Sequence, residues 1–186
     1  MKKLLSVVLG GSALLMAASA YAATSDGDMS ADGGTSEGTV DVKAQVPLKT
    51  RISDLDEIDF GNLGSKFNND GVSEGVSDTQ DVAVWSTSRA YTLDASGGED
   101  GFVIKTSSTE NPGTLAYTVN WKDSDGTDFD LASGSASGLV SNCKSVTCSA
   151  TGDTKAQLTV AISAAEIEKA LSGSYAGTLT LTVSAE

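Results

Sequence analysis

Apolar and polar residues alternate along several short stretches of this 186-residue chain. The clearest stretch is residues 39–48, whose apolar members are Val40, Val42, Ala44, Val46 and Leu48. A period of two is typical of a β-strand with one buried face, so these ten residues predict a half-buried strand. Pro47 has no N–H to donate, which predicts that this end of the strand lies at a sheet edge.

Further short strands are predicted downstream, separated by glycine-rich and polar loops. We expect them near residues 51–60, 82–85, 91–93, 102–105, 115–121, 158–162 and 175–183. The Asp123-Ser-Asp-Gly126 run predicts a hairpin turn, and residues 164–171 have the composition of one short helix. Seven or eight short strands in about 150 residues predict an all-β sandwich.

The first 22 residues have the features of a secretory signal peptide. Lys2 and Lys3 precede a short apolar run, and Ala20-Tyr-Ala22 is a small-x-small cleavage site. The apolar run is too short to span a bilayer. Residues 23–38 are rich in Gly, Ser, Asp and Thr, which predicts a flexible acidic leader. Residues 39–186 are then a single domain, and we expect an exported protein at the cell surface or in the extracellular space.

The charge balance restricts the partners of the processed chain. Loss of Lys2 and Lys3 leaves ten basic residues against twenty-five acidic ones, a net charge of −15. This charge repels nucleic acid and anionic membranes, so we expect neither a nucleic-acid partner nor membrane insertion.

Two cysteines, Cys143 and Cys148, are present. In an oxidising compartment they are expected to form a disulfide. The bond would close a very small loop and mainly stiffen a local turn. A redox role would favour the C-x-x-C spacing, which this pair lacks.

The sequence offers little catalytic chemistry. It contains no histidine, which removes the commonest general base and the histidine-dependent triads. Carboxylates are plentiful, and one cluster consists of Asp54, Asp56, Glu57 and Asp59. A glycosidase needs only two carboxylates, but nothing in the sequence marks one with a raised pKa. We therefore expect neither an enzyme nor a cofactor.

One acidic run resembles the start of a calcium-binding loop. Its candidate oxygen ligands are Asp123, Asp125 and Asp128. The run lacks a glutamate at the distance that would complete such a loop, and Asp-Gly is an ordinary hairpin sequence. A turn is the favoured interpretation, with a metal site as the alternative.

Two segments carry a resemblance to a known family. Residues 173–183 follow the pattern G-x-Y-x-G-x-L-x-L-x-V, and residues 39–47 read T-V-D-V-K-A-Q-V-P. Between them, I-D-F-G at residues 58–61 and L-T-V-A-I at residues 158–162 keep a similar order. The chain resembles chaperone–usher pilins, and its opening strand is similar to the donor strand of the colonization-factor (alternate) class.

This resemblance implies an incomplete immunoglobulin-like sandwich with an unpaired edge. In such pilins a periplasmic chaperone covers the edge first, and the N-terminal strand of the next subunit then replaces it at the outer-membrane usher. The implied donor residues are Val40, Val42, Ala44, Val46 and Leu48. The implied acceptor-groove residues are Leu179, Leu181 and Val183.

The function that the resemblance implies is a structural subunit of a surface fibre, a pilus or fimbria, that supports adhesion or biofilm formation. In the alternative, residues 39–48 are the first strand of a complete sandwich. The protein would then be a secreted surface, coat or matrix protein that binds a partner without polymerising. A secreted ligand-binding or calcium-binding module is a third reading.

Overall fold

The computed structural model describes residues 26–29, 32–72, 74–107, 112–131 and 134–186. The predicted signal peptide, residues 1–22, lies outside the described residues. The chain divides into two compact units, residues 1–45 and 46–186. In the first unit, residues 26–29 and 32–45 are exposed and contain no helix and no strand longer than a single bridging residue, Thr39.

The second unit consists almost entirely of short β-strands. Its first six strands are β1 (Thr50–Ser53), β2 (Phe67–Asn68), β3 (Gly71–Val72), β4 (Val76–Ser86), β5 (Ala90–Ser96) and β6 (Val103–Thr106). The others are β7 (Thr114–Ala116), β8 (Thr118–Lys122), β9 (Asp128–Asp130), β10 (Ser135–Val140), β11 (Ala156–Ile162), β12 (Tyr175–Ala176) and β13 (Thr180–Ala185). The helical elements described are a 3-10 turn, Leu63–Lys66, and the helix α1, Ala164–Glu168. Neither is long enough to cross a bilayer.

The strands form two main antiparallel sheets and two smaller ones. The larger sheet has the order β1-β4-β11-β8-β9, and the second has the order β10-β5-β13. A third sheet has the order β12-β6-β7, and β2 pairs with β3 in a hairpin. The order β1-β4-β11-β8 corresponds to strands A, B, E and D of an immunoglobulin sandwich, and β5 and β13 correspond to C and F. The predicted all-β sandwich is confirmed.

The core lies between the two main sheets. The larger sheet contributes Val82, Val84, Val119, Trp121, Leu158, Val160 and Ile162, and the second contributes Tyr91, Leu93, Ala95 and Leu139. Trp121 Nε1 donates to the Tyr91 hydroxyl over 3.0 Å at the centre of this core. Burial raises the pKa of the Tyr91 phenol, so the hydroxyl stays protonated. The indole N–H is therefore satisfied by a neutral acceptor.

The described residues contain thirteen strands rather than the seven or eight predicted. The predicted strand 115–121 is divided at Tyr117, whose N–H donates to Phe102 O over 2.9 Å. On either side of this residue the chain pairs with different sheets, because β7 joins β6 and β8 joins β11. The predicted strand 51–60 ends at Ser53, because Asp54 has a φ of 63° and leaves the extended conformation.

The cysteine pair and the predicted turn are both observed. Cys143 and Cys148 form a disulfide with a Cα–Cα distance of 4.6 Å, which confirms the predicted pairing. Both cysteines are buried against Ala83 on β4. The turn that begins at Asp123 is closed by Gly126 N, which donates to Asp123 O over 3.1 Å.

Candidate functional site

Strand β13 has one paired edge and one open edge. It pairs with β5 from Thr180 opposite Ser96 to Ala185 opposite Tyr91. Glu186 N donates to Ala90 O over 3.3 Å, and this antiparallel geometry directs the N–H and C=O groups of alternate β13 residues away from β5. Those residues are Leu181, Val183 and Ala185. From the described part of the chain, one hydrogen bond reaches them, donated by Thr50 Oγ1 to Val183 O over 3.3 Å.

The apolar face of β13 is only half-covered. Leu181, Val183 and Ala185 are half-buried, whereas their register partners on β5 are 7%, 0% and 0% exposed. These partners are Ala95, Leu93 and Tyr91. The two strands are adjacent in one sheet and have similar apolar patterns. The difference in burial therefore arises because, in the described part of the chain, no strand pairs with the open side of β13, the place of strand G in an immunoglobulin sandwich.

A groove of about 1190 Å³ lies along this open edge. One wall is formed by residues 170–181, and the other, which we call the A-side wall, by residues 55–64. Between the walls lie Ile104, Tyr117, Leu158, Val160 and Ile162. The volume lies just above the range of about 300–1,000 Å³ that is typical of small-molecule pockets. A groove with an apolar floor, beside an unpaired strand, fits an extended peptide better than a compact ligand.

The A-side wall is held in place without belonging to a sheet. Gln80 on β4 accepts a hydrogen bond from Asp56 N over 2.7 Å and donates one to Asp56 O over 3.3 Å. Its side-chain amide therefore satisfies both backbone groups of Asp56. Beyond this point Ile58 and Phe60 pack against the core.

In the opposite wall, residues 170–181, a tyrosine side chain binds the backbone four residues before it. The Tyr175 hydroxyl accepts from Leu171 N and donates to Leu171 O, both over 2.9 Å. An immunoglobulin tyrosine corner ties the start of strand F to the preceding backbone in the same way. Gly113 packs against this hydroxyl, since a Cβ there would approach the Tyr175 oxygen to 2.6 Å. The wall is thus fixed by contacts that any larger residue at position 113 would disturb.

The groove is charged on one side only. Its charged lining residues are Asp56, Glu57 and Asp59, which we call the acidic wall. Of the same acidic cluster, Asp54 instead forms an ion pair with Lys155 over 2.6 Å, and its hydrogen bond is the main cause that raises the pKa of that lysine. The carboxylates predicted as a cluster therefore lie along an exposed segment rather than facing one another in a pocket.

The predicted acceptor residues lie along β13 and just before it. Leu179 and Leu181 line the groove, whereas Val183 lies beyond it, beside Thr50. Sequence reasoning did not assign Ile58, Phe60 or the β11 residues to the groove. Their alternating pattern predicts burial, but it does not show which buried residues face an open edge.

The predicted donor residues lie in an exposed segment. Val40, Val42, Val46 and Leu48 are between 64% and 89% exposed, and Ala44 is exposed as well. Residues 40–49 form no strand, unlike the half-buried strand that their alternation predicts, and the sandwich begins with β1 at Thr50. An alternating segment becomes a strand only when another strand supplies its hydrogen bonds.

Two of the three candidate calcium ligands, Asp123 and Asp125, accept hydrogen bonds within the turn. Asp123 is buried, and its carboxylate accepts from Asp125 N over 3.2 Å, Thr127 N over 3.0 Å and Val140 N over 3.0 Å. Asp128 lies on β9 opposite Lys122. Within the described ranges, no three metal-ligating side chains converge.

Comparisons with known proteins give little further. No protein-family model and no curated protein matches this chain. Among solved structures, one similar chain belongs to a structure described as a chaperone–tip adhesin complex vital for synergistic activation of CFA/I fimbriae biogenesis. The TM-score is 0.38 at 12% identity, over 60% of this chain and 35% of that one. This chain thus spans about a third of that chain's length, and a similarity of this size assigns no family.

Proposed function

We propose that this protein is an exported structural subunit of a surface fibre, a pilus or fimbria, that polymerises by strand addition. The observation that carries the proposal is the open edge of β13. Its apolar face is half-buried beside a long apolar groove, while the same face of β5 is fully buried. An unpaired edge of this kind is a template for another strand.

The proposed occupant is the segment 39–48 of a second copy. In an extended conformation its ten residues span about 33 Å, and its apolar side chains all point to one face. Laid along β13, its backbone pairs with the outward groups of Leu181, Val183 and Ala185, and its apolar side chains enter the groove. Each Val or Leu that becomes fully buried contributes about 1.5–3 kcal/mol.

This contact propagates because donor and acceptor are different surfaces. The donor segment precedes β1, whereas the groove lies between the A-side wall and residues 170–181. Such a head-to-tail contact leaves a free donor and a free groove on every assembled copy. When the rotation does not close a ring, the product is an open filament.

The open edge also has consequences for the partners and the location of the protein. An open apolar edge is an aggregation hazard in a free subunit. A periplasmic chaperone therefore covers it before assembly, and an outer-membrane usher exchanges chaperone for donor segment. The fibre stands on the cell surface, where it supports adhesion or biofilm formation. The role is structural, and no catalysis is included in the proposal.

The decisive experiment adds a synthetic peptide of residues 39–48 to the full chain carrying Val42→Asp and Val46→Asp. These substitutions disable the chain's own donor segment and leave the groove unchanged. At a hundredfold excess over its Kd the peptide stabilises the folded chain by about 2.7 kcal/mol, a rise in Tm of about 5–15 °C.

The matched control is the same peptide carrying Val42→Asp and Val46→Asp, which should give no rise. Equal effects of the two peptides, or no effect of either at millimolar concentration, would contradict strand addition. The complete secreted sandwich, a monomer that accepts no strand, would then be the remaining interpretation.

A further inference from the structure

Residues 47–49, where the donor segment meets β1, are bound to their own subunit by Thr87, the first residue of the β4–β5 loop. Lys49 N donates to Thr87 Oγ1 over 2.9 Å, and Thr87 N donates to Lys49 O over 3.0 Å. The Thr87 hydroxyl also lies within donating distance of Pro47 O, at 3.3 Å, and of Lys49 O, at 3.4 Å. We call this set of contacts the Thr87 clamp.

The Thr87 clamp extends the pairing of β1 with β4 by one residue. In the register of these two strands, Lys49 lies opposite Thr87. Pro47 stiffens the chain further, because its ring fixes its own φ and disfavours the helical conformation at Val46. Residues 46–49 accordingly contain no turn, and the chain runs on past the end of β1 instead of folding back.

The clamp limits how far the donor segment can reach toward its own groove. The segment must reverse to enter that groove, because β1 leads directly into the A-side wall. While residues 47–49 are held, the shortest hairpin turn uses residues 45–46. Thr39 then lies opposite Ile52, whereas the lining of the groove begins at Leu55. A longer turn uses more residues and reaches less far, so the held segment ends before its own groove begins.

Release of the clamp would change this reach. A two-residue turn at residues 48–49 places Val42 opposite Leu55 and Val40 opposite Glu57. Both of these partners line the groove. The first two apolar residues of the segment would then lie at the groove of their own subunit.

We propose that the Thr87 clamp keeps the donor segment of each copy out of its own groove and leaves it free for a second copy. This inference rests on the proposed function, since it needs a groove that accepts the segment. Thr87 does not line the groove. It is a positioning residue, which acts through the backbone of residues 47–49.

The clamp matters because a copy that fills its own groove cannot extend a fibre. Such a copy offers neither a free donor segment nor an open groove. A segment joined to its own subunit by a few flexible residues has an effective concentration on the order of millimolar. Binding to its own groove would therefore compete strongly with binding to other copies. The clamp removes this competition without weakening the contact between copies.

The test measures binding of a labelled 39–48 peptide to the full chain by fluorescence anisotropy. Three versions of the clamp are compared: the unmodified chain, Thr87→Val, which removes the hydroxyl but keeps the shape, and Thr87→Ser, which keeps the hydroxyl. Each is measured with its own donor segment intact and with that segment disabled by Val42→Asp and Val46→Asp. Light scattering checks that the chains are monomers at the concentration used.

In the unmodified chain and in Thr87→Ser, the peptide should bind equally well whether the donor segment is intact or disabled. In Thr87→Val, the intact segment should weaken peptide binding by about threefold or more, because each lost hydrogen bond favours release by about two- to tenfold. Disabling the segment in Thr87→Val should restore the affinity.

Three results would overturn the clamp and leave strand addition intact. One is an equal affinity of Thr87→Val with intact and disabled segments. Another is a loss in Thr87→Val that persists when the segment is disabled, which would mean that Thr87 shapes the groove itself. The third is weakened binding by the intact segment in the unmodified chain. Absence of peptide binding to every version would instead refute the proposed function.

Discussion

The sheet β10-β5-β13 has two outer strands, β10 and β13, and they differ in how their outward backbone groups are satisfied. At the C-terminal end of β10, both outward backbone groups of Val140 are satisfied by side chains of the β8–β9 turn. Val140 N donates to Asp123 Oδ2 over 3.0 Å, and Val140 O accepts from Ser124 Oγ over 2.6 Å. At β13 the outward groups receive only the Thr50 hydroxyl from the described residues. The β10 edge is thus sealed at Val140, whereas the β13 edge is left available.

This contrast separates stability from assembly. The sealed edge holds polar side chains that are buried and fully used, as Asp123, Ser124 and Ser141 are. The open edge holds apolar side chains that are only half-buried. A change at the sealed edge should therefore destabilise the single subunit, whereas a change in the segment proposed for the open edge should affect only the contact between subunits.

The largest effect is expected for Val42→Asp in the full chain. Val42 is exposed in the single chain, so the fold should be unchanged. In the groove, however, the new carboxylate would be buried without a partner, which costs several kcal/mol per contact. Fibres seen by electron microscopy should disappear, and light scattering should show monomers. Thr35→Asp, the same charge change in the exposed leader, should leave the fibres intact; equal losses in both variants would point to net charge instead.

A smaller effect is expected for Asp123→Ala, and it should lower the stability of the single subunit rather than prevent assembly. Three backbone N–H groups lose the Asp123 carboxylate as acceptor, and of these Thr127 N keeps Asp125 Oδ1, so the cost is about 2–4 kcal/mol in the free energy of unfolding. Urea denaturation measures this loss. Binding of the 39–48 peptide to the folded variant should be unchanged. If the variant lost peptide binding while still folded, the two edges would not be independent.

The smallest effect concerns Asp153, which ties the disulfide loop that follows β10. Its carboxylate accepts from Lys144 N over 2.8 Å and Ala150 N over 2.9 Å, and these hydrogen bonds lower its pKa. A lowered carboxyl pKa contributes stability above the unfolded value, near 3.8, and this contribution is lost as the pH falls through the folded value. The Tm of Asp153→Asn should thus lie below that of the unmodified chain at pH 6, and the difference should shrink as the pH falls below 3.8. A constant difference across this range would assign the effect to packing.

Much of the sandwich follows from local pattern. Alternation at 158–162 and 175–183 predicts β11 to β13, and the compartment predicts the disulfide. Strands β9 and β10 were not predicted, because their sequences are polar or rich in Gly and Ser and the strands depend on contacts from elsewhere, such as Asp123 to Val140. The end of β1 was missed for a similar reason, since the positive φ of Asp54 leaves no mark in the hydrophobic pattern.

The candidate site could be predicted only in part. Leu179 and Leu181 share the alternating face that the closing run predicts, and both line the groove. The same kind of face on β11 is buried in the middle of a sheet. Pattern shows that a face is apolar, but whether a strand lies beside it depends on pairing between residues far apart in sequence.

Gln80 gives the groove one last property. Its side-chain amide occupies both backbone hydrogen-bonding groups of Asp56. Asp56 therefore cannot at the same time pair with β13 and cover its open edge. The groove is therefore already open in the single subunit. A donor strand can bind without first displacing the A-side wall, so a smaller part of its binding free energy is lost to rearrangement.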